Sequence, residues 1–240
     1  MENLLINIPI KENKIKKKLN INIVIDYFIN MQKFVYENDI DNIQIKPIYY
    51  EQNLKNSFNN VFVREKVAIK LLNIANKLEK YGYGLCLYDG WRSYELQLVL
   101  YNNYLETIQK NNPKLKQEKI EKLATKFVSK PIKNDEYSFL HNTGGAIDLT
   151  LTKNGQIVDM GTPFDDFSCM AYTNYFEKYS LDDEIRNNRR ILYNAMINED
   201  FVNLSSEWWH YDYGDKVWAS VKNKDIIYVG EDITKKGRIL

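Results

Sequence analysis

The chain holds only two histidines, and each stands in a compact run of residues suited to metal chemistry. His141 opens the run His141-Asn142-Thr143-Gly144-Gly145-Ala146-Ile147-Asp148, and His210 closes Glu207-Trp208-Trp209-His210. A hydrolytic zinc site takes three protein ligands from imidazole and carboxylate groups and keeps a fourth position for water. Two imidazoles, one aspartate and a spare glutamate make up such a set. The spacings then constrain the backbone. Extended chain would hold His141 and Asp148 up to ~23 Å apart, so a shared ion needs a sharp turn, which Gly144-Gly145 permits. Glu207 and His210 are three apart and would face opposite sides of a regular strand. Serving one site requires a bulge or turn around Ser206 to Trp208.

Each motif taken alone has a plainer reading. His141 and Asp148 also fit a loop histidine and an aspartate closing a turn. Trp208 and Trp209 read first as core aromatics, which would wall the site off from water. A third run, Tyr88-Asp89-Gly90-Trp91-Arg92-Ser93, joins a strand end to a tight turn and an arginine ahead of a helix. That arrangement projects a guanidinium into a cleft, although an isolated arginine there also fits a surface ion pair.

The elements that must position these residues follow from periodicity. Val67, Leu71, Ile74, Ala75 and Leu78 share one helical face over residues 64–80, and Gly82 with Gly84 supplies a stop. A strand is expected over 85–88, a helix from Ser93 to about Lys110, and another from Leu115 to Phe127. Ala146 to Leu151 reads as a strand carrying Asp148. Asn154-Gly155 is a hairpin signal, with Ile157 to Met160 as the returning strand. Ser180 is a candidate cap for a helix reaching about Ile197, with Ile185, Leu192 and Met196 inward. Phe201 to Leu204 and Trp209 to Tyr213 complete the strands. Helices ahead of a strand-rich second half imply an α+β fold with a central antiparallel sheet flanked by helices and the zinc site on the sheet.

At 240 residues the chain fits one domain, with residues 1–20 as a peripheral segment. Lys+Arg 33 against Asp+Glu 32 gives net charge +1, which argues against a nucleic-acid partner. The lysine-rich run 11–18 reads as a solvated N-terminal segment. No stretch approaches ~20 apolar residues, so no membrane span is expected. The short apolar run from Leu4 to Ile10 lacks the features of an export signal, so the expected location is cytoplasmic. Cys86 sits in an apolar stretch and reads as a core hydrophobe. With Cys169 it makes no disulfide framework. The oligomeric state is open, a homo-oligomer included.

Together, Asp89-Gly90-Trp91-Arg92, His141-x-x-Gly144-x-Ala146-x-Asp148, Met160-Gly161-Thr162-Pro163-Phe164-Asp165 and Glu207-x-Trp209-His210 resemble the VanX-type D-alanyl-D-alanine dipeptidases, in order and approximate spacing. The resemblance implies one Zn²⁺ per chain, held by His141, Asp148 and His210. It implies Glu207 as catalytic base, Arg92 stabilising the tetrahedral intermediate, and Asp165 binding the free ammonium of a small dipeptide. The His/Asp and Glu/His motifs occur more widely, so a D,D- or L,D-carboxypeptidase or endolysin acting on peptidoglycan peptides is the alternative. Asn187-Asn188-Arg189-Arg190 is closer to the dipeptidase branch. The chain departs from the family at Phe139, where serine is usual, and at Trp91 and Ser93 around the arginine. Those departures bear on substrate preference. Glycopeptide resistance and dipeptide salvage are both compatible roles.

Overall fold

A computed structural model describes residues 5–13, 19–133, 135, 139–179, 182–234 and 239. Most of the lysine-rich run and Ser180 lie outside the described residues. The first half contains β1 (Phe28–Asn30), α1 (Met31–Glu37), β2 (Ile43–Ile45), α2 (Ile48–Glu51), β3 (Phe62–Arg64), α3 (Glu65–Glu79), β4 (Tyr83–Asp89), α4 (Tyr94–Asn111) and α5 (Gln117–Ala124). The second half contains β5 (Ala146–Lys153), β6 (Gln156–Ile157), α6 (Tyr175–Tyr179), α7 (Asp183–Asn198), β7 (Val202–Asn203), β8 (His210–Asp212) and α8 (Lys216–Lys222).

The main sheet runs β2-β4-β5-β8-β7, with β6 paired to the far end of β5. Its pairings are antiparallel except for β2, which joins β4 in parallel at one edge. This is the expected α+β architecture with a central sheet, although strands and helices alternate through both halves rather than segregating. The amphipathic face of α3 supplies Val67, Leu71, Ile74 and Leu78 to a core shared with Leu85, Leu87, Ile147, Leu149 and Leu151 of the central strands. β4 and β5 are buried along nearly their whole length. The strand that bears Asp148 is therefore held on both sides by buried neighbours.

Several local expectations need correction. Gly84 does not stop the helix; it lies inside β4, where a Cβ would meet the Asn42 carbonyl just ahead of the neighbouring strand β2. Gly82, at φ +74°, makes the turn alone. The returning strand ends at Ile157, not Met160. Asn188 and Arg189 of α7 donate to the Asp159 and Met160 carbonyls at 2.9 and 2.8 Å, taking acceptors a strand ladder would use. The third helix is shorter than the apolar pattern suggested: beyond Ala124 the Lys126 and Phe127 amides bond to the carbonyls three residues back, Leu123 and Ala124, and the chain tightens into a turn. Asp182 caps α7 through the Glu184 and Ile185 amides. Ile185 is half-buried, whereas Leu192 and Met196 are in the core.

Candidate active site

Asp148 sits on β5 directly opposite Asp89 of β4 and His210 of β8. Directly paired residues of antiparallel strands project from the same face. A bulge between Leu87 and Asp89 makes this pairing, since an unbroken ladder from Leu87–Leu149 would place Asp89 opposite Ile147. His141 comes from a short 3₁₀ turn, His141–Thr143, closed by Gly144 at φ +69°. A Cβ at Gly144 would collide with the Phe28 ring. Arg64 clamps that turn: its amide donates to the Gly144 carbonyl at 2.9 Å and its Nε to the Thr143 carbonyl at 2.8 Å. The Glu207–His210 segment is a turn rather than a strand. His210 N–H donates to the Glu207 carbonyl, and Asn203 Nδ2 donates to both the Glu207 and His210 carbonyls at 3.0 Å. That turn supplies the break in alternation that the spacing demanded.

His141, Asp148 and His210 converge, with ligand atoms within 4.8 Å of one another and all three residues buried. His141 Nε2 lies 3.2 Å from His210 Nδ1 and 3.3 Å from Asp148 Oδ2, and His210 Nδ1 lies 2.9 Å from Asp148 Oδ1. Tetrahedral zinc with arms of about 2.0–2.1 Å sets its ligand atoms roughly 3.3 Å apart. The outward ring nitrogens have their own acceptors. His141 Nδ1 is 2.6 Å from the Gly90 carbonyl and His210 Nε2 is 2.9 Å from Asp212 Oδ1. Once those nitrogens donate, two imidazole lone pairs and a carboxylate face one buried point, which is repulsive without a cation there. The donor set fits zinc.

The titration behaviour agrees. Burial lowers His210, but Asp212 and Asp148 outweigh it and hold the ring well above its ordinary pKa. Burial raises Asp148, but the two imidazoles pull it below the usual carboxylate range.

Around this point lies a cavity of about 420 Å³ whose lining includes Tyr49, Arg92, Asp165 and Glu207. Burial pushes the Glu207 carboxyl up to about 8, with Asp148 and Asp165 adding to the rise against His210. Arg92 is buried rather than a surface ion pair. Its Nε and Nη2 reach Asp89 Oδ2 at 2.9 and 2.8 Å, its Nη1 donates to Gln97 Oε1 at 2.7 Å, and its Nη2 is 3.6 Å from Asp148 Oδ2. Burial lowers its pKa, but Tyr49 and the surrounding carboxylates more than offset this. Asp165, in the left-handed region at φ +60°, accepts from the Tyr49 hydroxyl at 3.0 Å. Enclosure, with Asp148 nearby, raises its pKa to about 7 although part of its surface stays accessible. The loop before it is held by Arg189 and Asn188 and by Trp208 Nε1 donating to Thr162 Oγ1 at 2.8 Å.

All six residues singled out from the sequence therefore border one cavity. Trp208 and Trp209 are core residues, as their type suggested. Three contributors were missed. Asp212 was detectable, because it lies two residues after His210 in a strand and so shares its face. Gln97 lies one helical turn into α4 with no motif of its own. Tyr49, which bridges Arg92 and Asp165, comes from a segment with no local signal at all. Cys86 is buried and unpaired, and Cys169 is exposed and unpaired.

The D-alanyl-D-alanine dipeptidase of Enterococcus faecium is 30% identical over 185 residues, covering 75% of this chain and 84% of that protein. The Synechocystis enzyme of the same name is 33% identical over 88 residues, which span 36% of its length. That of Escherichia coli is 40% identical over 73 residues, again 36% of its length. A solved structure of a vancomycin resistance D,D-pentapeptidase, VanY from a VanB-type cassette in complex with Zn(II), aligns with TM-score 0.46 and 14% identity, covering 72% of this chain and 85% of that one. Residues 25–228 match the peptidase M15 family, described as D-ala-D-ala dipeptidase. The chain belongs to this family of metallopeptidases.

Proposed function

We propose that the chain, acting as a single domain, is a zinc-dependent dipeptidase that hydrolyses D-alanyl-D-alanine or a similar small dipeptide. The observation that carries this reading is the inward aim of His141 Nε2, His210 Nδ1 and the Asp148 carboxylate, with both outer ring nitrogens already occupied. Those three residues would hold the metal. Zinc in such a position supplies Lewis acidity, polarising the scissile carbonyl and lowering a water's pKa from about 15.7 towards ~7.

The remaining steps belong to the chain's own groups. Glu207 takes the proton lost by the attacking water and delivers it to the leaving amine. Arg92, fixed by Asp89 and Gln97 beside Asp148, shares the charge that develops on the carbonyl oxygen. Asp165 pairs with the substrate's free ammonium, which favours its ionised form and disfavours peptides blocked at that end. Trp208 and Trp209 exclude water behind the site.

No described helix is long and apolar enough to cross a membrane. Two unpaired cysteines fit a reducing, cytoplasmic setting, where free dipeptide would be the substrate. The test is hydrolysis of free D-Ala-D-Ala by the purified protein, with zinc removed by a chelator and restored. Activity that follows zinc and vanishes in Glu207→Gln supports the assignment. Release of D-alanine from a muropeptide pentapeptide, with no cleavage of the free dipeptide, contradicts it in favour of a carboxypeptidase.

A further inference from the structure

Beside the titratable groups, the cavity lining includes Leu100, Tyr104, Phe127, Val128, Phe139 and Phe167, interspersed with the polar Asn103, Thr107 and Ser129. The aromatic part is built from three separate elements. Tyr104 comes from α4, Phe127 from the turn after α5, and Phe167 from the loop that carries Asp165. Their rings pack on one another, with centroids 4.4 Å apart for Tyr104–Phe167, 5.6 Å for Phe127–Phe167 and 6.3 Å for Tyr104–Phe127. None of the three is fully buried. Behind them Tyr101, Ile108, Ile120, Ala124 and Val128 form a separate apolar cluster that holds the α4–α5 pair together. The wall is also tied to the chemistry, because Gln97 accepts from Arg92 and donates to the Ser129 carbonyl at 2.8 Å.

A volume of about 420 Å³ falls within the roughly 300–1,000 Å³ of small-molecule sites. The side chains of dialanine are methyl groups. They would leave the ring surfaces in contact with weakly held water, which an apolar substituent displaces favourably. We infer that the preferred substrate is a dipeptide bearing, on one of its two residues, an apolar side chain of leucine or phenylalanine size seated on the Tyr104–Phe127–Phe167 wall. This rests on the dipeptidase reading above and specifies its substrate class.

The experiment is a kcat/KM comparison on the zinc-loaded protein between D-Ala-D-Ala and the leucine- and phenylalanine-containing dipeptides, with the bulky residue placed first or second and in all stereoisomers. One bulky dipeptide is expected to exceed dialanine by about tenfold or more, the scale set by filling an apolar pocket. Phe167→Ala and Tyr104→Ala are then expected to pull that ratio towards one, a readout independent of how much of each variant is active. Dialanine preferred across the panel, or a ratio unmoved by both substitutions, overturns the inference and leaves the dipeptidase reading intact. Cleavage of no dipeptide of any size overturns both.

Discussion

Replacing Asp212 tests the part of the site that the Glu-x-x-His motif does not contain. Its Oδ1 lies 2.9 Å from His210 Nε2, and both side chains are buried. A buried hydrogen bond to a charged group contributes about 1.5–3 kcal/mol net. Asp212→Ala removes the acceptor, strands an N–H away from water and frees the ring to choose the wrong tautomer. At about 1.4 kcal/mol per tenfold, this corresponds to zinc binding weakened roughly 10- to 100-fold, the range found when such outer partners are lost. Asp212→Asn keeps an oxygen acceptor without the charge, so its loss should be smaller. Competition against a chromophoric chelator at fixed pH measures the zinc Kd directly, and circular dichroism confirms that the fold persists. A Kd for folded Asp212→Ala within about twofold of the parent would refute the claim that Asp212 orients His210.

Glu207→Gln should bind zinc as the parent does and lose about 10²–10⁴ in kcat, read by D-alanine release; parental turnover would remove Glu207 from proton transfer. Gly144→Ala forces an L-residue into positive φ against the Phe28 ring, so chemical denaturation should show at least about 1–3 kcal/mol lost, with weaker zinc binding as His141 moves. Burial raises the Glu177 carboxyl, but hydrogen bonds from Arg190 and the Ile10 amide outweigh it and leave its pKa lowered. Its contribution is therefore complete above the unfolded carboxyl pKa of about 4.3 and lost as pH falls through the lower folded value. Glu177→Gln should accordingly lower Tm at neutral pH and close the gap to the parent in acid, as followed by thermal unfolding across pH.

What the sequence disclosed was local, and what it withheld was long-range. The helix over Glu65–Glu79, the Ser93 cap of α4 and the Asn154-Gly155 hairpin are each dictated by residues within a few positions of one another. The convergence of His141, Asp148 and His210 was expected from the dipeptidase resemblance, with Gly144-Gly145 permitting the turn, whereas each motif alone also fitted a plainer reading. The bulge at Leu87/Asp89 was not legible, since it depends on how two distant strands align. Nor was Tyr49, whose hydroxyl reaches Asp165 from 116 positions away. The end of β6 was misjudged because side chains of α7 take backbone acceptors, a competition apolar periodicity does not register.

The most direct test of the central claim is an anomalous difference map at the zinc edge from crystals of the zinc-loaded protein. One peak per chain is expected, at about 2.0–2.1 Å from His141 Nε2 and His210 Nδ1 and about 2.0–2.2 Å from an Asp148 oxygen. Zinc found elsewhere, or a stoichiometrically loaded protein with no density between those three side chains, would contradict the account.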